Sequence, residues 1–236
     1  TQTNKFVLAN TSLDYFEFLF RHFLDAVEHL EDKSKVEHMN QKLSKMNERL
    51  KNIAVLDRLT ALYNRQGFAE KIEELSAKMG EKEEITIFYA DLDNFKFYND
   101  TFGHDIGDFI LVQFATLLKQ ICGPDGYVVR YGGDEFIVVI HSADREYIEN
   151  AAKRIYEILK EENGFTDKIS DKLGVEVNIP EEKYVSCSIG ISSAIINPEN
   201  SKKKIDDAIK QADEMMYYIK KTVKHRYVFY DDVEHD

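Results

Sequence analysis

Acidic residues stand at the ends of two strongly apolar segments, where they could bind a cation. Asp91 and Asp93 fall at the end of the strand-like run 84–92, which is otherwise rich in β-branched and aromatic residues. Side chains two residues apart share one face of a strand, and carboxylates are hard oxygen ligands that suit Mg²⁺. An acid at the end of a strand is also a common turn former, so this segment alone leaves both interpretations open.

A second acidic pair follows a double glycine in the segment RYGGDEF. Gly132 and Gly133 allow backbone N–H groups to approach a ligand closely, and Asp134 and Glu135 open the apolar strand that follows. Taken alone, the two acids could equally form the solvated tip of a hairpin. Carboxylates from neighbouring strands, however, repel one another unless a cation lies between them. The two segments together therefore predict a metal site formed by Asp91, Asp134 and Glu135.

Alternating helical and strand patterns beyond residue 57 predict an α/β (α+β) domain. The predicted helices are 66–79 (with Asn64 as its N-cap), 105–121, 144–161 and 201–221. The predicted strands are 84–92, 126–131, 135–141, 184–195 and 225–230, and residues 162–183 are predicted to form a loop with a short strand at 174–178. The order β-α-β-β-α-β with an extra terminal strand predicts a ferredoxin-like or palm-type antiparallel central sheet flanked by helices.

The N-terminal part has a different pattern, which predicts a helical stalk. Apolar residues recur at helical spacing over 13–30, and a heptad-like series then follows at Val36, Met39, Leu43, Met46, Leu50 and Ile53. Such a series favours a parallel dimer, but a single amphipathic helix packed on its own domain would show the same spacing. We therefore expect a stalk over residues 1–56, which could be the tail of an upstream sensor region, and a globular domain over 57–236.

Composition narrows the classes of function further. Of 236 residues, 43% are hydrophobic, which excludes a mainly disordered chain, and 43 acids against 31 Lys and Arg give a net charge of -12. A chain this acidic is a poor generic binder of nucleic acid or anionic membranes, so we expect neither partner within this sequence. The two cysteines, Cys122 and Cys187, are expected to be reduced thiols in a cytoplasmic protein. Because the chain starts at Thr1, we expect it to be a piece of a longer protein that could be membrane-anchored upstream.

Several motifs together resemble the GGDEF family of diguanylate cyclases. They occur in order over residues 57–230, and besides RYGGDEF they read DRLTALYNR at 57–65, DLDNFKFYNDTFGHDIGD at 91–108, SCSIGIS at 186–192 and ADEMMYYIKK at 212–221. Their length and number make a chance match very improbable. The chain is therefore identified as a member of this family.

The resemblance implies roles for individual residues. In such enzymes Asp91, the main-chain carbonyl of Leu92 and Asp134 bind Mg²⁺, with Mn²⁺ as an alternative, and Glu135 is a further ligand or the catalytic base. The guanine base is read by Asn99 and Asp108, and His104 lines the same pocket. The phosphates are contacted by Lys96, Lys220 and the backbone of the double glycine.

The resemblance also implies a reaction. Two GTP molecules, each held by one domain of a homodimer joined through the N-terminal helix, condense into cyclic di-GMP and release pyrophosphate. Asp108 accepts from N1–H and the exocyclic amine of guanine, a pair of donors that adenine lacks, which argues against a cyclase of altered base selectivity. The alternative from another class is a non-catalytic GTP-binding domain that regulates a partner.

Two positions depart from the family pattern. Gly123 and Gly126 stand where product-inhibited members carry the Arg and Asp of an RxxD motif, so we predict that the primary inhibitory site is absent. Lys224 stands where an Arg is usual in the turn after the last long helix, and it is a further expected phosphate contact. Lysine keeps the positive charge but lacks the bidentate fork, which predicts a weaker hold on phosphate.

Overall fold

The computed structural model describes residues 20–22, 33, 35–46, 55–78, 82–123, 126–222 and 226–233. The chain divides into two compact units, Thr1–Asn52 and Ile53–Asp236. The proposed site falls within the second unit, which holds all the strands named below.

The helices of the second unit are α1 (Arg65–Lys78), α2 (Phe95–Phe102), α3 (His104–Cys122), α4 (Arg145–Glu161), α5 (Thr166–Leu173) and α6 (Ser201–Thr222). The strands are β1 (Glu83–Asp93), β2 (Tyr127–Arg130), β3 (Glu135–Ile140), β4 (Ser186–Ile196) and β5 (Tyr227–Phe229). The predicted N-cap of α1 is confirmed, because Asn64 Oδ1 accepts a hydrogen bond from Gly67 N at 2.8 Å.

The strands form one sheet in the order β2-β3-β1-β4-β5. Neighbours pair antiparallel except for β4 and β5, which run parallel. The first four strands have the ferredoxin-like order, so the predicted fold class is confirmed. Strand β1 lies at the centre and pairs with β3 on one side and β4 on the other, which brings the chain segments around both acidic motifs side by side.

Alternating side chains of the central strands build a core on each face of the sheet. One core joins β1, β3 and β4 to α3 and α4, with Phe114 packed edge-on against Phe136 at a ring distance of 5.2 Å. The other core joins β1 and β3 to α1 and α6 through residues such as Ile87 and Met216. Both faces of β1 are covered, which explains why its sequence is apolar almost throughout rather than alternating.

Three sequence-based predictions about the elements are wrong or incomplete. The predicted helix 105–121 is the second of two helices, because α2 directly follows β1 and was not predicted. The segment 162–183, predicted as a loop, contains α5, and residues 174–178 form no strand. At the start of α5 the Thr166 hydroxyl donates to Asn163 O at 2.6 Å, and Ile169 of the same helix is buried in the core. These contacts could not be predicted from a segment whose sequence is mostly polar.

The N-terminal unit is helical where it is described, over residues 35–46. Four residues of the heptad-like series, Val36, Met39, Leu43 and Met46, are 56–66% exposed on this helix. Leu50, Ile53 and most of 13–30 lie outside the described residues. Within the described ranges no helix combines the length and apolar character needed to cross a membrane.

Candidate active site

The two acidic motifs meet at one end of the sheet because β1 and β3 are neighbours in register. Asp91 pairs with Glu135, and Leu92 N donates to Asp134 O at 3.2 Å. Asp91 and Glu135 therefore come from paired positions, and both lie on the face of the sheet that α6 covers. The predicted neighbourhood of Asp91, Asp134 and Glu135 is the one that the structure shows.

Asp91 is the most deeply buried of the three acids, with 7% of its surface exposed. Burial raises the pKa of its carboxyl to about 6, the nearby Asp134 and Glu135 raise it as well, and Lys220 opposes the rise. Lys220, in the last turn of α6, forms an ion pair with Asp91 Oδ1. Apart from this ion pair, Asp91 Oδ1 accepts no hydrogen bond from the described residues.

The donor set suits a hard divalent cation. Among the described residues, no three His, Cys, Asp or Glu side chains are grouped closely enough to hold a metal alone. Mg²⁺ does not require such a cage, since it binds through one or two carboxylates and completes its shell with water and phosphate oxygens. A buried carboxylate oxygen that is engaged among the described residues by the Lys220 ammonium group, beside two further acids, fits that mode. Asp91, Asp134 and Glu135 are therefore suitable ligands for Mg²⁺ or Mn²⁺.

The double glycine forms a tight turn whose ends are tied together. Tyr131 N and Gly132 N both donate to Glu135 O, at 2.9 and 3.2 Å. A Cβ on Gly132 would overlap Glu135 Oε2, whereas one on Gly133 would meet no atom within 4 Å. The first glycine is therefore needed for the placement of the Glu135 side chain.

The expected guanine-reading residues lie on the α2–α3 pair. Gly103 N donates to Asn99 O at 3.1 Å, and the Asn99 side chain lies against Gly107, where a Cβ would overlap Asn99 Oδ1. The structure thus brings Asn99 next to the segment that carries Asp108, and Asp108 and His104 are both exposed. Lys96 is exposed on α2, one turn before Asn99.

Of the two departures from the family pattern, the structure describes the one at Gly123 and Gly126 but not the one at Lys224. A Cβ on Gly126 would overlap Cys122 Sγ and come within 2.6 Å of Val139 O, so this backbone position has no room for an aspartate side chain. This crowding agrees with the predicted loss of the inhibitory site, which stays a prediction. Lys224 lies outside the described residues. Both cysteines are free and buried.

Sequence reasoning missed two residues that the structure ties to the site. Arg130 donates to the carbonyl of Gly133, and Gly107 makes room for Asn99. Both stand inside the motifs quoted above, but their spacing gives no sign of what they contact. Their contacts become apparent only when the folded structure shows which groups lie close together.

Comparison with known proteins identifies the family of this domain. Residues 54–226 match the family described as "Diguanylate cyclase, GGDEF domain". This chain belongs to the GGDEF-domain family.

Its relatives include proteins of different named function. The chain is 30% identical over 200 residues to biofilm architecture maintenance protein MbaA of Vibrio cholerae (81% of this chain, 23% of that protein). It is 31% identical over 183 residues to the probable diguanylate cyclase DgcT of Escherichia coli (78% and 37%). It is also 31% identical over 173 residues to the cyclic di-GMP phosphodiesterase PdeR of Escherichia coli (73% and 23%). The chain thus spans well under half the length of these curated relatives.

Solved structures share the fold. The coiled coil and GGDEF domain of DgcB from Caulobacter crescentus, in complex with c-di-GMP, superimposes with a TM-score of 0.63 at 21% identity, covering 83% of this chain and 96% of that one. A microbial GGDEF domain described with cyclic di-GMP gives 0.55 at 26% identity, covering 76% and 99%.

Proposed function

We propose that this chain is a diguanylate cyclase that condenses two GTP molecules into cyclic di-GMP and releases two pyrophosphates. The observation that carries the proposal is the register of β1 and β3, which places Asp91 opposite Glu135 with Asp134 adjacent. Membership of the GGDEF family and the similarity to a probable diguanylate cyclase support it.

The chemistry assigns a separate role to each group. Asp91, Asp134, Glu135 and the Leu92 carbonyl would hold the metal, which stabilises charge on the phosphate oxygens and lowers the pKa of the attacking 3′-hydroxyl. In the alternative role, Glu135 would be the base that takes the proton of that hydroxyl. Lys220, which pairs with Asp91, would turn to the triphosphate, and Lys96 and Lys224 would add positive charge.

Selection of guanine follows from the α2–α3 pair. The Asp108 carboxylate accepts two hydrogen bonds from the Watson–Crick edge of guanine, and the Asn99 amide completes the contact. Adenine would leave the Asp108 carboxylate without its pair of hydrogen-bond donors, which lowers the affinity for ATP. GTP is therefore the proposed substrate rather than ATP.

The reaction requires two domains, because one site holds only one of the two nucleotides. The exposed apolar series on the N-terminal helix, from Val36 to Met46, supports pairing of two chains through this segment. Each chain would then supply one GTP and one set of acids.

The direct test is product formation from GTP and Mg²⁺, followed by mass spectrometry at several protein concentrations. We expect cyclic di-GMP with a rate per chain that rises with protein concentration. The double variant Asp134→Asn, Glu135→Gln should lose activity, while Asp206→Asn, which removes an exposed acid on α6, should keep it. No product from the wild-type chain at any concentration, or full activity in the double variant, would contradict the proposal.

A second candidate function is a non-catalytic GTP-binding domain. The ion pair between Lys220 and Asp91, which engages a carboxylate oxygen that a metal would need, is the observation that favours it. Isothermal titration that shows GTP binding with Mg²⁺ but no turnover would support this candidate.

A further inference from the structure

The segment that opens the catalytic domain, residues 57–64 (the opening turn), is closed by its own hydrogen bonds. Asp57 N donates to Leu62 O at 2.8 Å. The Asp57 carboxylate accepts from Thr60 N at 2.8 Å and from the Thr60 hydroxyl at 2.7 Å. These bonds hold the carboxylate of Asp57 in one orientation.

The Arg130 side chain connects this carboxylate to the double-glycine turn. Its Nη1 donates to Asp57 Oδ1 and Oδ2 at 3.1 and 3.2 Å. Its Nε and Nη2 donate to Gly133 O at 3.1 and 2.7 Å. Only 15% of the Arg130 side chain is exposed, so these charge-assisted bonds are partly shielded from water.

The opening turn has a second, backbone connection to the same place. Arg130 N donates to Tyr63 O at 2.8 Å, and Tyr63 forms a parallel bridge to Val129 on β2. The opening turn therefore holds the strand that leads into the double glycine by its main chain as well as by Arg130.

The position of the Gly133 carbonyl matters because it belongs to the peptide group that precedes Asp134. The carbonyl of Asp134 itself accepts from Leu92 N at 3.2 Å. Both peptide groups that flank the Asp134 Cα are thus hydrogen-bonded, one to Arg130 and one to β1. With both peptide planes held, the direction in which the Asp134 side chain leaves the backbone is set.

We propose that Arg130, anchored by Asp57, is a positioning residue that sets the orientation of the Asp134 and Glu135 carboxylates for catalysis. The inference rests on the proposed function for its kinetic consequence. The planar guanidinium serves two acceptors on different sides at once, which the point charge of a lysine cannot reproduce. A shift of the opening turn would, through this link, shift the acids of the site.

The kinetic test compares Arg130→Lys, Asp57→Asn and the double variant with wild type at one protein concentration. We expect kcat to fall about 10- to 100-fold in each single variant, because small displacements of catalytic groups have effects of this size. The KM for GTP should change by less than about threefold, as expected for an effect on the chemical step. Since both residues act through one link, the double variant should be no slower than the slower single variant.

A matched control is Arg154→Lys, which changes an exposed arginine that pairs with Glu157 and Glu161 on α4. Its kcat should equal that of wild type. Unchanged kcat in Arg130→Lys, or independent effects that multiply in the double variant, would overturn the proposal.

Amide hydrogen exchange without nucleotide separates this proposal from the proposed function. Exchange in Arg130→Lys should accelerate more at residues 131–135 than in the central strands. If wild type makes no cyclic di-GMP, the proposed function fails, but local acceleration at these residues would still support the positioning role. Uniform acceleration over the domain, or none at 131–135, would overturn it.

Discussion

The Asn99 side chain lies where a methyl group on residue 107 would stand. The three atoms nearest to a Cβ at this position outside its own helix backbone all belong to Asn99, and the Cβ would overlap Oδ1 and lie 2.9 Å from Cγ. We therefore expect Gly107→Ala to move the Asn99 amide rather than the backbone. Loss of one guanine hydrogen bond should raise the KM for GTP about tenfold. Because alanine favours a helix over glycine, the melting temperature should not fall.

A double-mutant cycle provides the control for this prediction. In an Asn99→Ala background the side chain that the methyl group displaces is gone, so Gly107→Ala should add no further increase in KM. An equal increase in both backgrounds would show that Gly107 acts without Asn99.

Ionisation of the Asp57 carboxyl contributes to the free energy of unfolding, and denaturation at several pH values can measure that contribution. Burial acts to raise the pKa of its carboxyl, but hydrogen bonds from Thr60 and Arg130 outweigh it, so the folded-state pKa lies below the usual value for aspartate. A lowered folded-state pKa stabilises the domain above the unfolded-state value, and this contribution is lost as pH falls through the folded-state value. Asp57→Asn should thus destabilise the domain by about 1–2 kcal/mol at pH 7.

Urea unfolding at pH 7, 4 and 3 measures this difference. The gap in unfolding free energy between wild type and Asp57→Asn should be constant from pH 7 to about 5 and narrow below pH 4. A gap that widens as pH falls would contradict the assignment of a lowered pKa.

Some properties of single residues were not predictable from the sequence. The clustering of Asp91, Asp134 and Glu135 was predictable, because these acids stand at the ends of apolar runs in the sequence. That they bind a cation stays a prediction. The ion pair of Lys220 with Asp91 was not predictable, since 129 positions separate the two residues and only the packing of α6 on the sheet brings them together. Arg130 was missed for a similar reason, because its partner Asp57 stands 73 positions earlier in the sequence, at the start of the opening turn.

At the scale of elements, the packing of α6 against β4 depends on one residue without a side chain. A Cβ on Gly190 would overlap Ala212 O and lie 2.5 Å from Met216 N, both backbone atoms of α6. Backbone cannot yield as a flexible side chain can, so the helix must move away. We expect Gly190→Ala to destabilise the domain by about 3 kcal/mol and to lower activity, because α6 carries Lys220.

Chemical denaturation monitored by circular dichroism checks this prediction. The matched control is Ser192→Ala on the same face of β4, which removes a 2.7 Å hydrogen bond to Gln211 without introducing overlap. Its effect should be about 1 kcal/mol. Equal destabilisation by the two variants would show that the stability of the domain does not depend on the close approach of α6 to Gly190.

Helices α2 and α5 could not be predicted, because tertiary contacts rather than the local sequence pattern stabilise them. Asn94 adopts φ of 62° between β1 and α2, so strand and helix follow each other without the usual turn signals. The aromatic residues of α2 have modest helix propensity, and the helix is held instead by Tyr98, which is buried and donates to Lys183 O at 2.9 Å. Longer elements with many apolar residues, such as β1 and α3, were predicted to within one or two residues of their ends.

At the scale of the whole molecule, the proposed reaction depends on whether two chains meet. We expect Leu43→Glu to reduce product formation about tenfold at low protein concentration, because a charge in the apolar series opposes pairing of the helices. Gln41→Glu adds the same charge to the helix outside that series and should have little effect. Sedimentation velocity on both variants should show the same difference in dimer content; equal dimerisation would exclude this surface as the interface.

The two edge strands of the sheet affect whether copies of the chain can pair through the sheet itself. β2 has four residues and β5 three, and the bridge between Tyr63 and Val129 lays the opening turn along the outer side of β2. Short or covered border strands offer few unpaired backbone groups to another chain. Such borders protect the domain from fibrillar self-assembly through its sheet. The proposed pairing of two chains would therefore use surfaces outside the sheet borders.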